Sequence, residues 1–251
     1  AYPVANPAKG EALAIVAVGG YGRAELAPQS DIDLLFLTPY KLAPHGEQIV
    51  EYILYMLWDL GLKVGHATRS VDECIRLAKR DITIETNLLD GRWLWGDQRV
   101  FAEFKKRFQD EVISSNGARF VDAKLAERDQ RHERMGDARY VVEPNIKEGK
   151  GGLRDLQTLY WLVKFLYGVD GVDELVALKV FTEQDVVRFV KAREFLWTVR
   201  SHLHYLTGRP EERLTFDVQK AIAAAMGYSD RPGVSGVERF MKHYFLIAKD
   251  V

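Results

Sequence analysis

Three short apolar runs in the first seventy residues predict buried strands separated by helices. Residues 13–18 are continuously apolar and end at a Gly-Gly turn, which predicts a first strand. Residues 31–37 start with polar and apolar alternation and become fully apolar, as in a second strand that begins at a sheet edge. Residues 62–69 alternate and predict a third strand. A helix from near Tyr21 and another over 47–60 complete a β-α-β-α-β order.

Beyond residue 70 the spacing of apolar positions becomes helical. It predicts helices over 72–79, 82–94, 99–112 and 117–135, and then over 153–167, 183–206, 217–226 and 234–249. Only residues 139–145 suggest a further strand. We therefore predict a small α/β head over residues 1–95 and a helical domain over residues 96–251.

Charge and composition narrow the function classes. The 251 residues include 35 Lys and Arg against 36 Asp and Glu, so there is no basic excess to hold a nucleic acid, and phosphate chemistry must depend on local charge. The single cysteine, Cys74, cannot form an internal disulfide, which fits a reducing cytoplasm. No signal peptide or membrane-length apolar stretch is present, so we expect a cytoplasmic protein with no membrane contact.

The segment 18–34, VGGYGRAELAPQSDIDL, contains the first chemically informative motif. Two glycines, Gly19 and Gly20, at a turn from strand to helix let backbone N–H groups approach a phosphate. Eleven residues later, Asp31 and Asp33 lie at i and i+2 on one strand face, where their oxygens can hold divalent cations. Such a pair opposite a phosphate-binding turn is typical of two-metal phosphoryl or nucleotidyl transfer.

The segment 142–157, VEPNIKEGKGGLRDLQ, is the second motif. Its lysine and arginine side chains surround three glycines at the start of a predicted helix. This pattern predicts a local anion-binding site. The alternative is a flexible linker whose charges are incidental. The residues in question are Lys147, Lys150, Gly151, Gly152 and Arg154.

Together the two motifs resemble the polymerase-beta-like nucleotidyltransferase superfamily and, within it, the bifunctional uridylyltransferase/uridylyl-removing enzymes that modify the PII nitrogen-signalling protein. The resemblance continues through segments 201–208 and 213–219 to the end of the chain. It implies an α+β fold with a small mixed sheet in the head and a mostly helical second domain. It also implies transfer of UMP from UTP to a tyrosine of PII, with release of pyrophosphate.

The resemblance implies roles for the residues of both motifs. Asp31 and Asp33 would be catalytic and would bind Mg²⁺ or Mn²⁺, while Gly19, Gly20, Arg23 and Ser30 would contact the triphosphate. The five residues of the second motif would complete the nucleotide site. Two alternatives remain open: adenylyl transfer to glutamine synthetase or a small molecule, and a non-catalytic nucleotide sensor.

Two departures from the resembled families affect these expectations. Many members of the superfamily carry a third carboxylate on the strand after the helix, but segment 61–69 has no acid, so Glu143, Glu148 and Asp155 are the candidates. No histidine is followed by Asp, as the phosphohydrolase domain of these enzymes would require. We expect a fragment that ends before the phosphohydrolase and ligand-sensing ACT domains, with neither removal of UMP nor a response to glutamine.

Overall fold

The computed structural model describes residues 12–40, 44–114, 116–136, 140–169 and 171–251. Backbone contacts divide the chain into two compact units, one comprising residues 1–26 and 30–117, the other residues 27–29 and 118–251. The predicted boundary lay between residues 95 and 96, whereas the contacts place it after Gly117. None of the helices in the described part of the chain combines the length and apolar character needed to cross a membrane.

The first unit contains a four-stranded mixed sheet. Its strands are β1 (Ala14–Ala17), β2 (Ile32–Thr38), β3 (Val64–Ser70) and β4 (Arg92–Gly96), in the order β3-β2-β1-β4. β1 pairs antiparallel with β2 and β4, and β2 pairs parallel with β3. This mixed sheet and the helical second unit confirm the predicted α+β fold.

Helices of this unit pack against the sheet because its central strands, β1 and β2, are mostly apolar. They are α1 (Gly19–Gly22), α2 (Pro44–Asp59), α3 (Val71–Ala78), α4 (Ile82–Leu89) and α5 (Gln98–Phe108), with a π-helical turn over Gln109–Ile113. Leu34 and Phe36 of β2 pack with Val50 and Leu54 of α2 in one buried cluster. Burial of such side chains stabilises the fold by roughly 1.5 to 3 kcal/mol each.

Three predictions of secondary structure need correction, two in the head and one in the second unit. The helix predicted over 82–94 ends at Leu89, and Arg92–Gly96 forms an edge strand whose residues pair with β1. Its alternating aromatic residues suit a half-buried strand better than a helix. The helix predicted from Tyr21 is the single turn Gly19–Gly22. The possible strand at 139–145 is absent from the described residues 140–145, where Asn145 makes only an isolated bridge with Arg213, while residue 139 lies outside the described ranges.

The second unit is helical, as predicted. It contains α6 (Gly117–Arg134), α7 (Leu153–Tyr167), α8 (Glu174–Ala177), α9 (Glu183–Thr207), α10 (Phe216–Ala225) and α11 (Gly236–Asp250), of which the short α8 was not predicted. Helix α9 begins at a capping box formed by Thr182 and Asp185. Helices α7, α9, α10 and α11 share one hydrophobic core, with Leu196, Leu203 and Phe240 fully buried.

Candidate active site

The predicted carboxylate pair lies at the start of β2. Asp31 directly precedes the strand and is exposed, whereas Asp33 is its second residue and is partly buried. Because strand side chains alternate between faces, residues two apart share one face. Burial, and then the charge of Asp31, raise the pKa of Asp33 above its usual value. A divalent cation would relieve both effects, so this donor set fits Mg²⁺ or Mn²⁺.

The Asp33 carboxylate lies between two glycines. A methyl group on Gly19 would lie 3.2 Å from Oδ2 of Asp33, and a methyl group on Gly65 would lie 2.6 Å from Oδ1. Gly65 is the partner of Asp33 in the parallel register of β2 and β3. The backbone on both sides therefore leaves space that the carboxylate fills. Sequence reasoning missed Gly65, because strand alternation alone does not give the register that places it opposite Asp33.

The position of Gly65 also bears on the third ligand. An acid on β3 facing the pair would stand where Gly65 stands, and its Cβ would lie 2.6 Å from Oδ1 of Asp33, so that the Asp33 carboxylate would have to move. Within the described ranges no group of three or more His, Cys, Asp or Glu side chains converges on a possible metal position. The pair alone is sufficient for Mg²⁺, which commonly takes one or two carboxylates and completes its shell with water and substrate phosphates.

The turn that carries Gly19 and Gly20 is bonded directly to the strand of the pair. The N–H of Val18 donates to the carbonyl of Asp33 at 3.1 Å. Gly19 has a φ of +56°, in the left-handed region that favours glycine. A methyl group on Gly20 would lie 2.9 Å from the carbonyl oxygen of Glu25, so this glycine is required by a close backbone approach. Ser30, also partly exposed, directly precedes the pair.

Two arginine side chains stabilise this turn through contacts within the protein. The Arg23 guanidinium donates to Glu25 and to the buried carboxylate of Asp90, and its side chain is only 9% exposed. Arg92 donates to the carbonyls of Tyr21 at 2.8 Å and of Gly22 at 3.1 Å. Arg23 thus positions the turn, and its contact with a triphosphate stays a prediction. Asp90 and Arg92 were missed because they are about seventy residues away in sequence.

The second motif belongs to the second unit and is bonded largely to itself. The Asn145 side chain accepts hydrogen bonds from the N–H groups of Lys147 at 3.0 Å and Glu148 at 2.7 Å. The N–H of Gly151 donates to Asp155 at 2.7 Å. Four further N–H groups donate to carbonyls of the same segment. The donors are the N–H groups of Gly149, Gly152, Leu153 and Arg154. These amides already have acceptors, so they do not form an open anion-binding cradle.

Gly151 and Gly152 are buried and explained by packing. A methyl group on Gly151, whose φ is +78°, would lie 2.1 Å from the carbonyl oxygen of Ala248. A methyl group on Gly152 would lie 2.8 Å from the carbonyl oxygens of Gly149 and Ile146. Both positions therefore require glycine for contacts within the protein. Their predicted contact with a nucleotide stays a prediction.

Asp155, a candidate third ligand, already has several donors. It accepts hydrogen bonds from the Gly151 N–H and the Arg131 guanidinium, and His132 Nε2 lies 3.0 Å from both of its oxygens. These partners hold the glycine-rich loop against α6. A carboxylate with this many partners has little capacity left for a metal ion.

The other two candidate ligands also have partners in the second unit. Glu143 accepts from the N–H of Phe216 at 2.8 Å, at the start of α10. Glu148 binds the Arg154 guanidinium, with 3.1 Å between Oε1 and Nη2. The same guanidinium donates to Gln157 at 3.0 Å. All three candidates thus contribute to the structure of the second unit.

The lysines of the second motif lie in different surroundings. Lys147 Nζ is 3.8 Å from Glu212, whose carboxylate is bound through both oxygens by Arg200. Burial, and then the charge of Arg200, lower the pKa of Lys147. Lys150 lines a cavity of about 630 Å³ together with His132 and Asp155. The predicted contacts of both lysines with a nucleotide stay predictions.

Comparisons with known proteins agree with this division of the chain. Residues 8–89 match the nucleotidyltransferase domain family, and residues 119–251 match the family described as GlnD PII-uridylyltransferase. The chain is 62% identical over 250 residues to a bifunctional uridylyltransferase/uridylyl-removing enzyme of Azospirillum brasilense and, equally, to one of Rhodospirillum rubrum. These alignments cover 100% of this chain and 27% of each relative. The chain therefore belongs to the GlnD PII-uridylyltransferase family.

Proposed function

We propose that this protein transfers UMP from UTP to a tyrosine hydroxyl of the PII signalling protein and releases pyrophosphate. The observation that carries the proposal is the pair Asp31 and Asp33 on one strand face, beside a turn whose Gly19 leaves room for the Asp33 carboxylate. Paired carboxylates beside a phosphate-binding turn suit nucleotidyl transfer. The names of the relatives and of the matching family support uridylyl transfer and PII as its acceptor.

In the proposed site each residue has a distinct role. Asp31 and Asp33 would hold Mg²⁺ or Mn²⁺, which would activate the attacking oxygen and neutralise charge on the leaving pyrophosphate. Gly19, Gly20 and Ser30 would contact the triphosphate, with Arg23 fixing the turn. The tyrosine oxygen forms a bond to the α-phosphorus as the bond to pyrophosphate breaks, and the hydroxyl proton passes to solvent.

The second unit would contribute side chains rather than amides. Lys147, Lys150 and Arg154 stay candidate nucleotide contacts because ammonium and guanidinium groups form strong, charge-assisted hydrogen bonds with phosphate. We also propose that the reaction takes place in the cytoplasm, where the single buried thiol of Cys74 stays reduced.

The proposal is tested by incubating the protein with purified PII, Mg²⁺ and each of four labelled nucleotides, UTP, ATP, CTP and GTP. We expect label to reach PII from UTP and to remain on a tyrosine after digestion. The matched control is the double variant Asp31→Asn with Asp33→Asn, which should transfer none. Preferential transfer from ATP would favour adenylyl transfer, and nucleotide binding without any transfer would favour a sensor.

A further inference from the structure

The strand β3 forms one edge of the sheet in the first unit. Its inner side pairs with β2, and the N–H of Ile32 donates to the carbonyl of Lys63 at 2.8 Å. In a parallel ladder this bond directs alternate residues of β3 towards β2. The intervening residues Val64, His66 and Thr68 therefore direct their N–H and C=O groups away from the sheet. In the part of the chain that the structure describes, no strand pairs with that outer side.

This edge is long, accessible and weakly protected. β3 has seven residues, of which Gly65, His66 and Thr68 are exposed. Proteins usually blunt such edges with Lys, Pro or short strands, because an open edge pairs readily with another chain. β3 contains neither Lys nor Pro, and Arg69 is its single charged residue apart from the titratable His66. An extended segment of another protein can therefore add to it as a strand.

The two faces of the sheet differ next to β3. On one face, Gly65 lies directly opposite Asp33 and has no side chain to block access to its carboxylate. On the other face, a cavity of about 780 Å³ is lined by residues of β3, α2 and α3. Its lining includes Val50, Leu54 and the acidic pair Glu47 and Glu51 of α2. The other charged residues that line it are Arg69, Asp72, Glu73 and Arg76, so acids outnumber arginines.

We propose that β3 is the docking site for the acceptor, which binds as an added strand along the outer edge. This inference rests on the proposed function and names where its protein substrate binds. Because neighbouring side chains of a strand alternate between faces, the acceptor residue would lie on the Gly65 face while its neighbours lie over the cavity. The acidic pair Glu47 and Glu51 favours a Lys or Arg among those neighbours.

The geometry also selects the length of the acceptor side chain. Strands lie about 4.8 Å apart, so an added strand would lie roughly 10 Å from β2, which carries Asp33. A tyrosine can carry its hydroxyl across β3, where Gly65 leaves the path open. Serine and threonine keep their hydroxyl close to their own backbone and fall short. The docking mode therefore predicts transfer to tyrosine and exclusion of serine at the same acceptor position.

The main-chain contact is tested with Thr68→Pro, which removes an outward N–H while leaving the β2–β3 ladder intact. Proline is tolerated at strand edges whose N–H faces solvent. We expect the KM for PII to rise at least tenfold with the KM for UTP unchanged, while Thr68→Val, which keeps the N–H, has a smaller effect. The matched control is Glu183→Pro at the first position of α9, where proline is favoured, and it should change neither KM.

Two further measurements do not depend on catalysis, and the second of them needs no variant of the protein. Binding of fluorescently labelled PII without UTP should weaken at least tenfold in Thr68→Pro. Tyrosine peptides of the acceptor segment, N-methylated one amide at a time, should lose binding to the unmodified protein at every second position. The docking site would be overturned if the loss of peptide binding did not alternate along the N-methylated positions. It would also be overturned if Thr68→Pro left the KM and the affinity for PII unchanged. Absence of transfer in the unmodified protein would contradict the proposed function alone, because binding still decides the docking site.

Discussion

The two glycine-rich turns of this protein have similar composition and different uses. In the head, a methyl group on Gly19 would meet the side chain of Asp33, so the glycine leaves space for a charged group. In the second unit, a methyl group on Gly151 would meet the backbone of Ala248, so the glycine leaves space for the protein itself. Glycine content alone therefore does not identify a phosphate site. What distinguishes the two turns is whether the neighbouring polar groups already have partners.

The carboxylates beside the two turns differ in the same way. Asp33 is partly buried beside the negative charge of Asp31, and its pKa is raised as a result. Asp155 instead receives the Gly151 N–H, the Arg131 guanidinium and a His132 nitrogen. A cation would stabilise the first arrangement, whereas the second is already neutralised by the protein. Asp33 thus lies beside another negative charge, whereas Asp155 is held by donors of the protein.

The largest expected effect comes from removing the charge of Asp33. Asp33→Asn keeps the size of the side chain and removes a ligand, so transfer should fall by about 10² to 10³, which is the order observed when one electrostatic stabiliser of a transition state is deleted. Steady-state transfer of labelled UMP measures it. Asp110→Asn, an exposed change in the same unit, is the control and should retain full activity. Near-normal turnover of Asp33→Asn would refute the metal assignment.

The next effect is on stability and concerns the second turn. Gly151→Ala forces a side chain into the left-handed region and against Ala248, which should cost about 2 to 5 kcal/mol from backbone strain and overpacking together. Gly168→Ala is the matched control, because its φ of +67° is similar and nothing lies within 4 Å of the added methyl group. It should cost only the strain, about 1 to 2 kcal/mol. Chemical denaturation measures both.

The same substitution in the head should act on activity instead. In Gly19→Ala the added methyl group approaches Asp33 at 3.2 Å, so the carboxylate must move. We expect a larger loss of transfer than of stability, the reverse of Gly151→Ala. If Gly19→Ala and Gly151→Ala lost the same stability and retained the same transfer activity, the distinction between the two turns would be wrong.

Local sequence patterns were sufficient for most of the fold and for the carboxylate pair. The apolar run of β2 and the i, i+2 spacing of Asp31 and Asp33 are both local, so their placement could be predicted. The edge strand at Arg92–Gly96 could not, because its pairing with β1 depends on residues nearly eighty positions away. The second turn is closed by bonds within its own segment, but the need for glycine at position 151 depends on Ala248, about a hundred positions away. Distant partners, rather than composition, decided both cases.

A smaller effect is expected from Arg154. Arg154→Ala removes hydrogen bonds to Glu148 and Gln157 and a candidate phosphate contact, so it should lower transfer and cost about 1 to 2 kcal/mol of stability. Arg134→Ala is the control, because Arg134 is exposed and its hydrogen bond within the described residues is a long one, 3.3 Å to a carbonyl of its own helix. Surface changes of that kind usually stay within about 0.5 kcal/mol. Equal effects on transfer would leave the second motif without a catalytic role.

The smallest expected effect is on the stability of the metal-free protein. Burial and Asp31 raise the pKa of Asp33 above its usual 3.8, so the folded protein binds this proton more tightly than the unfolded chain does. Ionised Asp33 therefore destabilises the fold near neutral pH, and the penalty disappears as the pH falls through the raised pKa. In the presence of a chelator, Asp33→Asn should have a slightly higher Tm than the unmodified protein at pH 7, and the difference should shrink at lower pH. With Mg²⁺ and UTP the order should reverse, because ligands that bind only the folded state stabilise it. A chelated Asp33→Asn variant that melts below the unmodified protein would show that the carboxylate is a structural group, like Asp155.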